Sequence, residues 1–230
     1  MKIFLPIALT VATLSTSLAV PQNSSDSAGL DAVLKKMDSA AASFRSTQAD
    51  FEWNQYQKVV DETDVQKGTV YYRRSGKEID MMAHVKEPDQ KFVLYKDGKL
   101  QVYQPKIEQV IVHDMGTNRT EMESYLVLGF GGSGQDLFKA FDVTYGGDET
   151  IDGVSTGKLV LAPKSDKVKN TFTQIILWID LARGISVQQK FVTPQGDFRL
   201  AKYMRIRIND KMPNDVFQLK TSGKTQTITH

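Results

Sequence analysis

From position 51 onward the apolar residues of this chain recur at every second position, in short runs broken by turn residues. Few architectures accept that pattern. A period of two marks extended segments with one face turned to a core. Phe51, Trp53 and Gln55 fall on one face of the first such run, with Glu52, Asn54 and Tyr56 on the other. Ile79, Met81, Ala83 and Val85 alternate with Asp80, Met82, His84 and Lys86. Residues 92–95 turn through Asp97-Gly98 into residues 100–103. An Asp-Gly pair between apolar runs is a strong hairpin signal. Further strands are expected over 70–72, 107–113, 142–145, 158–161, 172–180, 185–192 and 198–208, with turns at Asp152-Gly153 and Arg183-Gly184. Short connections favour an antiparallel meander.

Helical periodicity occurs in two places. Leu30, Val33, Leu34, Met37, Ala40, Ala41 and Phe44 share one face of a leading helix. Asp31 near its start and Arg45 near its end suit the helix dipole. Residues 121–128 and 135–141 read as a helical insertion, joined by a glycine-rich stretch, 129–134, expected to be a flexible connection. About ten or eleven strands in one sheet must curl. The expected class is therefore α+β, a strongly curved antiparallel sheet with helices on one face.

Several strands are apolar on both faces. Ile175, Leu177 and Ile179 oppose Phe172, Ile176 and Trp178, Met81 adjoins Met82, and Tyr71 adjoins Tyr72. Such a strand is packed on both sides, or its concave face lines an apolar cavity under a helical lid, where methionine adapts to irregular hydrocarbon. The pattern leaves both readings open. If there is a cavity, Trp53, Met81, Phe92, Leu94 and Trp178 are its expected wall.

The N-terminus reads as an export signal: Lys2, an apolar stretch over 3–14, and the small-residue motif Ser17-Leu18-Ala19. The stretch is too short to span a bilayer. Residues 1–19 are the expected signal peptide, 20–29 a flexible leader, and 30–230 a single domain of ample size for one core. The chain has no cysteine, which excludes disulfides, thiolate chemistry and a lipid-accepting thiol. The expected product is a soluble periplasmic monomer. Charge is nearly balanced, Lys+Arg 29 against Asp+Glu 27, which argues against a nucleic-acid partner.

Catalytic signals are weak. His84, His113 and His230 belong to no metal-ligand spacing, and Asp114 lies on the opposite strand face from His113. Residues 129–134 match GxGxxG by letter, outside any βαβ unit. Glu78 and Asp80 share a strand face expected to meet solvent. No enzyme activity, metal or cofactor is expected; a secreted hydrolase is the alternative from another class. Arg74 is the residue of most interest. It shares a face with Val70 and Tyr72, while Arg73 shares the other with Tyr71. A guanidinium on an inward face needs acceptors; at a strand end it can instead reach water.

Three stretches carry a resemblance: Gly68-Thr69-Val70-Tyr71-Tyr72-Arg73-Arg74, Tyr95-Lys96-Asp97-Gly98-Lys99, and Val102-Tyr103-Gln104-Pro105-Lys106-Ile107-Glu108-Gln109-Val110. Glu87-Pro88-Asp89, Leu161-Ala162-Pro163-Lys164, Phe172-Thr173-Gln174-Ile175 and Phe217 extend it. In these the chain resembles the LolA-type outer-membrane lipoprotein carriers. The resemblance implies an incomplete β-barrel with an α-helical lid over an apolar cavity. It implies a periplasmic chaperone that takes acylated lipoproteins from an inner-membrane ABC-type release complex and hands them to an outer-membrane acceptor. The family's lid-latching arginine falls on Arg74, with Arg73 the competitor if the alignment slips by one. The chain departs from the family in its long middle segment, in residues 129–134 and in its polar end, residues 221–230. The runner-up function is a periplasmic lipid or lipopeptide sensor on the same scaffold.

Overall fold

The computed structural model describes residues 24–230 apart from positions 77, 127 and 214. The expected signal peptide, residues 1–19, and leader residues 20–23 lie outside the described residues. Helix α1 (Ser24–Ser43) leads into six strands: β1 (Ser46–Gln57), β2 (Glu62–Ser75), β3 (Glu78–Glu87), β4 (Lys91–Lys96), β5 (Lys99–Gln104) and β6 (Gln109–Asp114). Helices α2 (Arg119–Leu126) and α3 (Gly134–Ala140) follow. The rest comprises β7 (Phe141–Ile151), β8 (Val154–Pro163), a single turn α4 (Asp166–Lys169), β9 (Gln174–Asp180), β10 (Ser186–Val192), β11 (Phe198–Ile208) and β12 (Gln226–Thr229). Helix α1 begins six residues before Leu30, so residues 24–29 of the expected flexible leader are helical, with Asp26 in the first turn.

All twelve strands form one sheet in the order β12-β6-β5-β4-β3-β2-β1-β11-β10-β9-β8-β7. Two meanders, β1–β6 and β7–β11, are joined where β1 pairs antiparallel with β11. Only β12 runs parallel to its neighbour, β6. The ladder ends at β7 and β12, so the sheet curls into an incomplete barrel of the expected α+β class. Just as α4 is the helical turn the apolar pattern does not foretell, β12 is the strand it does not. All four of its residues are exposed, and its place comes from main-chain pairing alone.

Local chemistry accounts for the register. Asp97 and Gly98 have φ of 53° and 73°, the left-handed pair a two-residue hairpin requires. They set Lys96 opposite Lys99 and Tyr95 opposite Leu100. The core divides into three clusters. On the concave face of β1–β4 and β11, Phe51, Val70, Tyr72, Met81, Tyr95 and Tyr203 pack around Phe130. Under α1, Val33, Leu34 and Met37 cover Leu159, Leu161, Ile175, Leu177 and Ile179. On the convex face, Met82 and Leu94 are covered by Phe217, with Met212, Val216 and Leu219 beside it. The chain after β11 therefore crosses the outside of the barrel before it adds β12. Both readings of the two-faced strands apply: Met81 faces inward and Met82 outward, and both are buried.

Candidate functional site

The concave face is roofed by α1 and by the segment between β6 and β7. Phe130 is the centre of that roof. Its ring stacks on Tyr72 at 5.2 Å and meets Tyr203 edge-on at 4.7 Å. Gly131 beside it has φ +86°, and a Cβ there would lie 2.4 Å from the Phe44 ring. Residues 129–134 are thus a close-packed wedge, where a flexible connection was expected. Glycine serves here to let main chain approach side chains.

That wedge is stitched down through its carbonyls. Gln189 Nε2 donates to Leu128 O at 2.5 Å, and Ser186 N donates to Gly129 O at 2.8 Å. Arg74 Nη2 donates to Gly131 O at 2.6 Å, and Arg74 Nη1 lies 3.4 Å from Ala41 O in the last turn of α1. A cation there also meets the negative end of the helix dipole. Arg74 thus has main-chain acceptors on the inner side and is at the same time exposed at the strand end, so both readings apply, and it ties together α1, β2 and the wedge. Arg73 points to the convex face, where Nη2 pairs with Asp80 Oδ2 at 2.5 Å and the guanidinium lies 4.4 Å from the Phe217 ring centre. A second clasp was not foreseen: Arg119 of α2 pairs with Glu78 of β3 and, at 2.9 Å, with Glu123, which also accepts from Tyr95 Oη at 3.1 Å.

Beside this packed roof, on the same concave face, is a cavity of about 660 Å³, to which the segment between β6 and β7 contributes Met115, Tyr125 and Leu126 and to which neither α1 nor residues 129–134 contribute lining. Of the residues expected in a cavity wall, Trp53 and Met81 line it. Phe92, Leu94 and Trp178 do not, and this corrects the expected wall. Leu94 and Phe92 pair with Met82 and His84, so they share the outer face with Met82; the inner residues of β4 are Val93 and Tyr95. Trp178 alternates with Leu177 and Ile179, which face α1, and its indole Nε1 donates to Glu149 Oε2 at 2.8 Å. In each case the strand is apolar on both sides, so hydrophobicity did not mark the inner one.

The cavity joins an apolar floor to a polar end. Tyr72 and Tyr203 belong to the floor. Burial pushes the Tyr203 hydroxyl up to about 12 and raises Tyr72 well above its ordinary value, so both stay neutral. Tyr203 Oη donates to Gln189 Oε1 at 3.2 Å. Gln55, Gln66, Lys91 and Arg199 line the end that carries the β1–β2 turn. Arg199, Gln189 and Tyr203 were missed in the sequence. A signal existed for Arg199, since period two places it with Ala201 and Tyr203 on the inner face of β11. Among the described residues no group of three or more His, Cys, Asp or Glu side chains is placed to hold a metal ion. Nor is any described helix long and apolar enough to cross a membrane.

A partly open barrel with a largely apolar cavity on its concave face is the architecture of a ligand-binding protein, and the cavity falls within the about 300–1,000 Å³ of small-molecule sites. The model of one family, the outer membrane lipoprotein carrier protein LolA, matches residues 42–220, and the chain belongs to that family. Its members are periplasmic, and proteins of this superfamily are binding or carrier proteins. Among solved structures, an uncharacterized conserved protein from Thermus thermophilus aligns with TM-score 0.54 and 12% identity over 89% of this chain and 98% of that one. MucB aligns with TM-score 0.53 and 13% identity over 84% of this chain, which spans 63% of MucB. The MucA/MucB complex of Pseudomonas aeruginosa gives TM-score 0.50 and 13% identity, with 84% and 61% covered. At these identities the likeness is one of fold. No curated protein matches the chain.

Proposed function

We propose that this protein is a periplasmic lipoprotein carrier, exported by a cleavable signal peptide at residues 1–19. It holds the acyl chains of lipoproteins in its cavity. It receives them from an inner-membrane ABC-type release complex and passes them to an outer-membrane acceptor, by binding and without catalysis. The reading rests on one arrangement: an apolar cavity, lined by Trp53 and Met81, on the concave face whose neighbouring roof, α1 and residues 129–134, Arg74 ties to β2.

The magnitudes suit a carrier. Each buried methylene is worth about 0.8 kcal/mol, so one long acyl chain resists leaving a membrane by roughly 10 kcal/mol. A cavity that offsets most of this cost must still release its cargo. A hydrogen bond to a charged group contributes about 1.5–3 kcal/mol, and less when solvent reaches it. Burial of two to four methylenes, at about 0.8 kcal/mol each, therefore outweighs the Arg74 bond to Gly131. Arg74 holds the empty form closed and yields when an acyl chain enters, so ligand and latch compete for one equilibrium.

The test is native mass spectrometry of protein taken from the host periplasm, followed by lipid extraction and a transfer assay. Co-purifying lipoprotein, lost in Met81→Asp, supports the carrier. Arg74→Leu should still bind lipopeptide and fail to pass it on. Normal transfer by Arg74→Leu would remove the latch role. Lipopeptide uptake without any transfer to an acceptor would favour a lipid sensor on the same scaffold.

A further inference from the structure

We propose that the cavity selects an acyl chain that ends in an anion, and that Arg199 is the residue that holds the anion. The inference rests on the reading of the cavity as an acyl-chain site and adds to the lipoproteins proposed above a second ligand class, single-chain lipids with an anionic head.

Three cationic side chains, Lys91, Lys167 and Arg199, line the cavity, and no described Asp or Glu does. Arg199 is fixed in place. Its guanidinium carbon lies 5.4 Å from the Trp53 ring centre and 5.1 Å from that of Phe191. Two aromatic faces stabilise a cation without neutralising it. The Arg199 Nε is buried and has no hydrogen-bond partner. Arg73 also has an unpartnered Nε, but Asp80 meets its charge. None of the ion pairs among the described residues includes Arg199. Lys91, nearby on the cavity wall, reaches only the neutral Gln66 Oε1, at 3.5 Å.

A half-buried cation that lacks an anion is costly, and one that gains it makes short, strong, often two-pronged bonds. A carboxylate or a phosphodiester at the head of the lipid supplies that anion. The neutral ester and amide groups of a triacylated cysteine do not. Met81, Val93 and Leu100 line the same cavity away from this charge, so the chain runs inward past them while the head stays at the end bearing the β1–β2 turn. Tyr72 and Tyr203 stay protonated and add no opposing negative charge.

The experiment compares binding of palmitoyl-lysophosphatidylglycerol, palmitate and monopalmitoylglycerol to the full mature chain by calorimetry. The wild type should bind the two anionic lipids about tenfold or more tightly than the neutral one, the range of a charge-assisted bond. Arg199→Met should lose that preference, binding charged and neutral lipids alike, and Arg199→Lys should retain part of it. A preference for lysophosphatidylglycerol without palmitate narrows the anion to phosphate. Equal binding of charged and neutral lipids by the wild type, or a preference that survives in Arg199→Met, overturns the inference and leaves the carrier reading standing. Failure to bind any of the three, or a neutral triacyl lipopeptide, overturns both.

Discussion

Arg73 and Arg74 are consecutive in β2 and act on opposite sides of the sheet: one reaches Asp80 and Phe217 outside, the other the carbonyls of Ala41 and Gly131 inside. Neither can stand in for the other, because a shift of one residue reverses every side chain of a strand. Arg74→Leu should therefore speed amide exchange at residues 129–131 and at the end of α1, with a cost to stability of about 1 kcal/mol. Arg73→Leu should leave those amides protected. Hydrogen-exchange mass spectrometry separates the two.

Phe130 fills the space between Tyr72 and Tyr203, and its removal leaves a void continuous with the concave face. Phe130→Ala should lower the unfolding free energy by about 3–5 kcal/mol. The same variant should take up longer-chain lipopeptides than the wild type. Denaturant titration and native mass spectrometry test the two effects, and unchanged uptake would mean that the void collapses.

Phe217 is the buried residue that fastens the segment after β11 to the convex face. Phe217→Ala should cost about 3 kcal/mol or more. Limited proteolysis should then cut first within residues 209–225, while the β-sheet circular dichroism signal persists. Cleavage elsewhere first would mean that the main-chain pairing of β12 is enough to hold the segment.

Tyr203 is raised to about 12 by burial, so its folded form resists ionisation where an exposed tyrosine, near 10, does not. A group whose folded value is raised adds stability that is complete below about 10 and lost as pH climbs through about 12. Wild-type stability should fall over that window, and Tyr203→Phe should fall less steeply. Urea titrations between pH 8 and 11.5 measure the difference; equal slopes would mean that Tyr203 is hydrated in solution.

Much of the fold is legible where a segment carries its own signal. The alternation of β3 and the Asp97-Gly98 turn suffice for that hairpin, and Val70 and Tyr72 suffice for the face of Arg74. The cavity wall is less legible for a physical reason. Which side of β4 turns inward depends on what covers the other side, and that cover, Phe217 and its neighbours, lies far along the chain. Phe92 and Leu94 were thus as good a choice by hydrophobicity as Val93 and Tyr95. The acceptors of Arg74 are main-chain carbonyls, which no residue type announces. The glycines of 129–134 suggest freedom when read alone, yet Phe44 and Ser186 occupy the space their side chains would need.

The gap between β7 and β12 has a mechanical consequence. In a closed barrel, strand number and stagger dictate the radius, and no strand can move out without breaking ladder bonds. Here the circumference is interrupted, so the two meanders can splay about the β1–β11 seam with every strand pair intact. The girth of the trough is then set by side-chain contacts across it and not by the ladder itself.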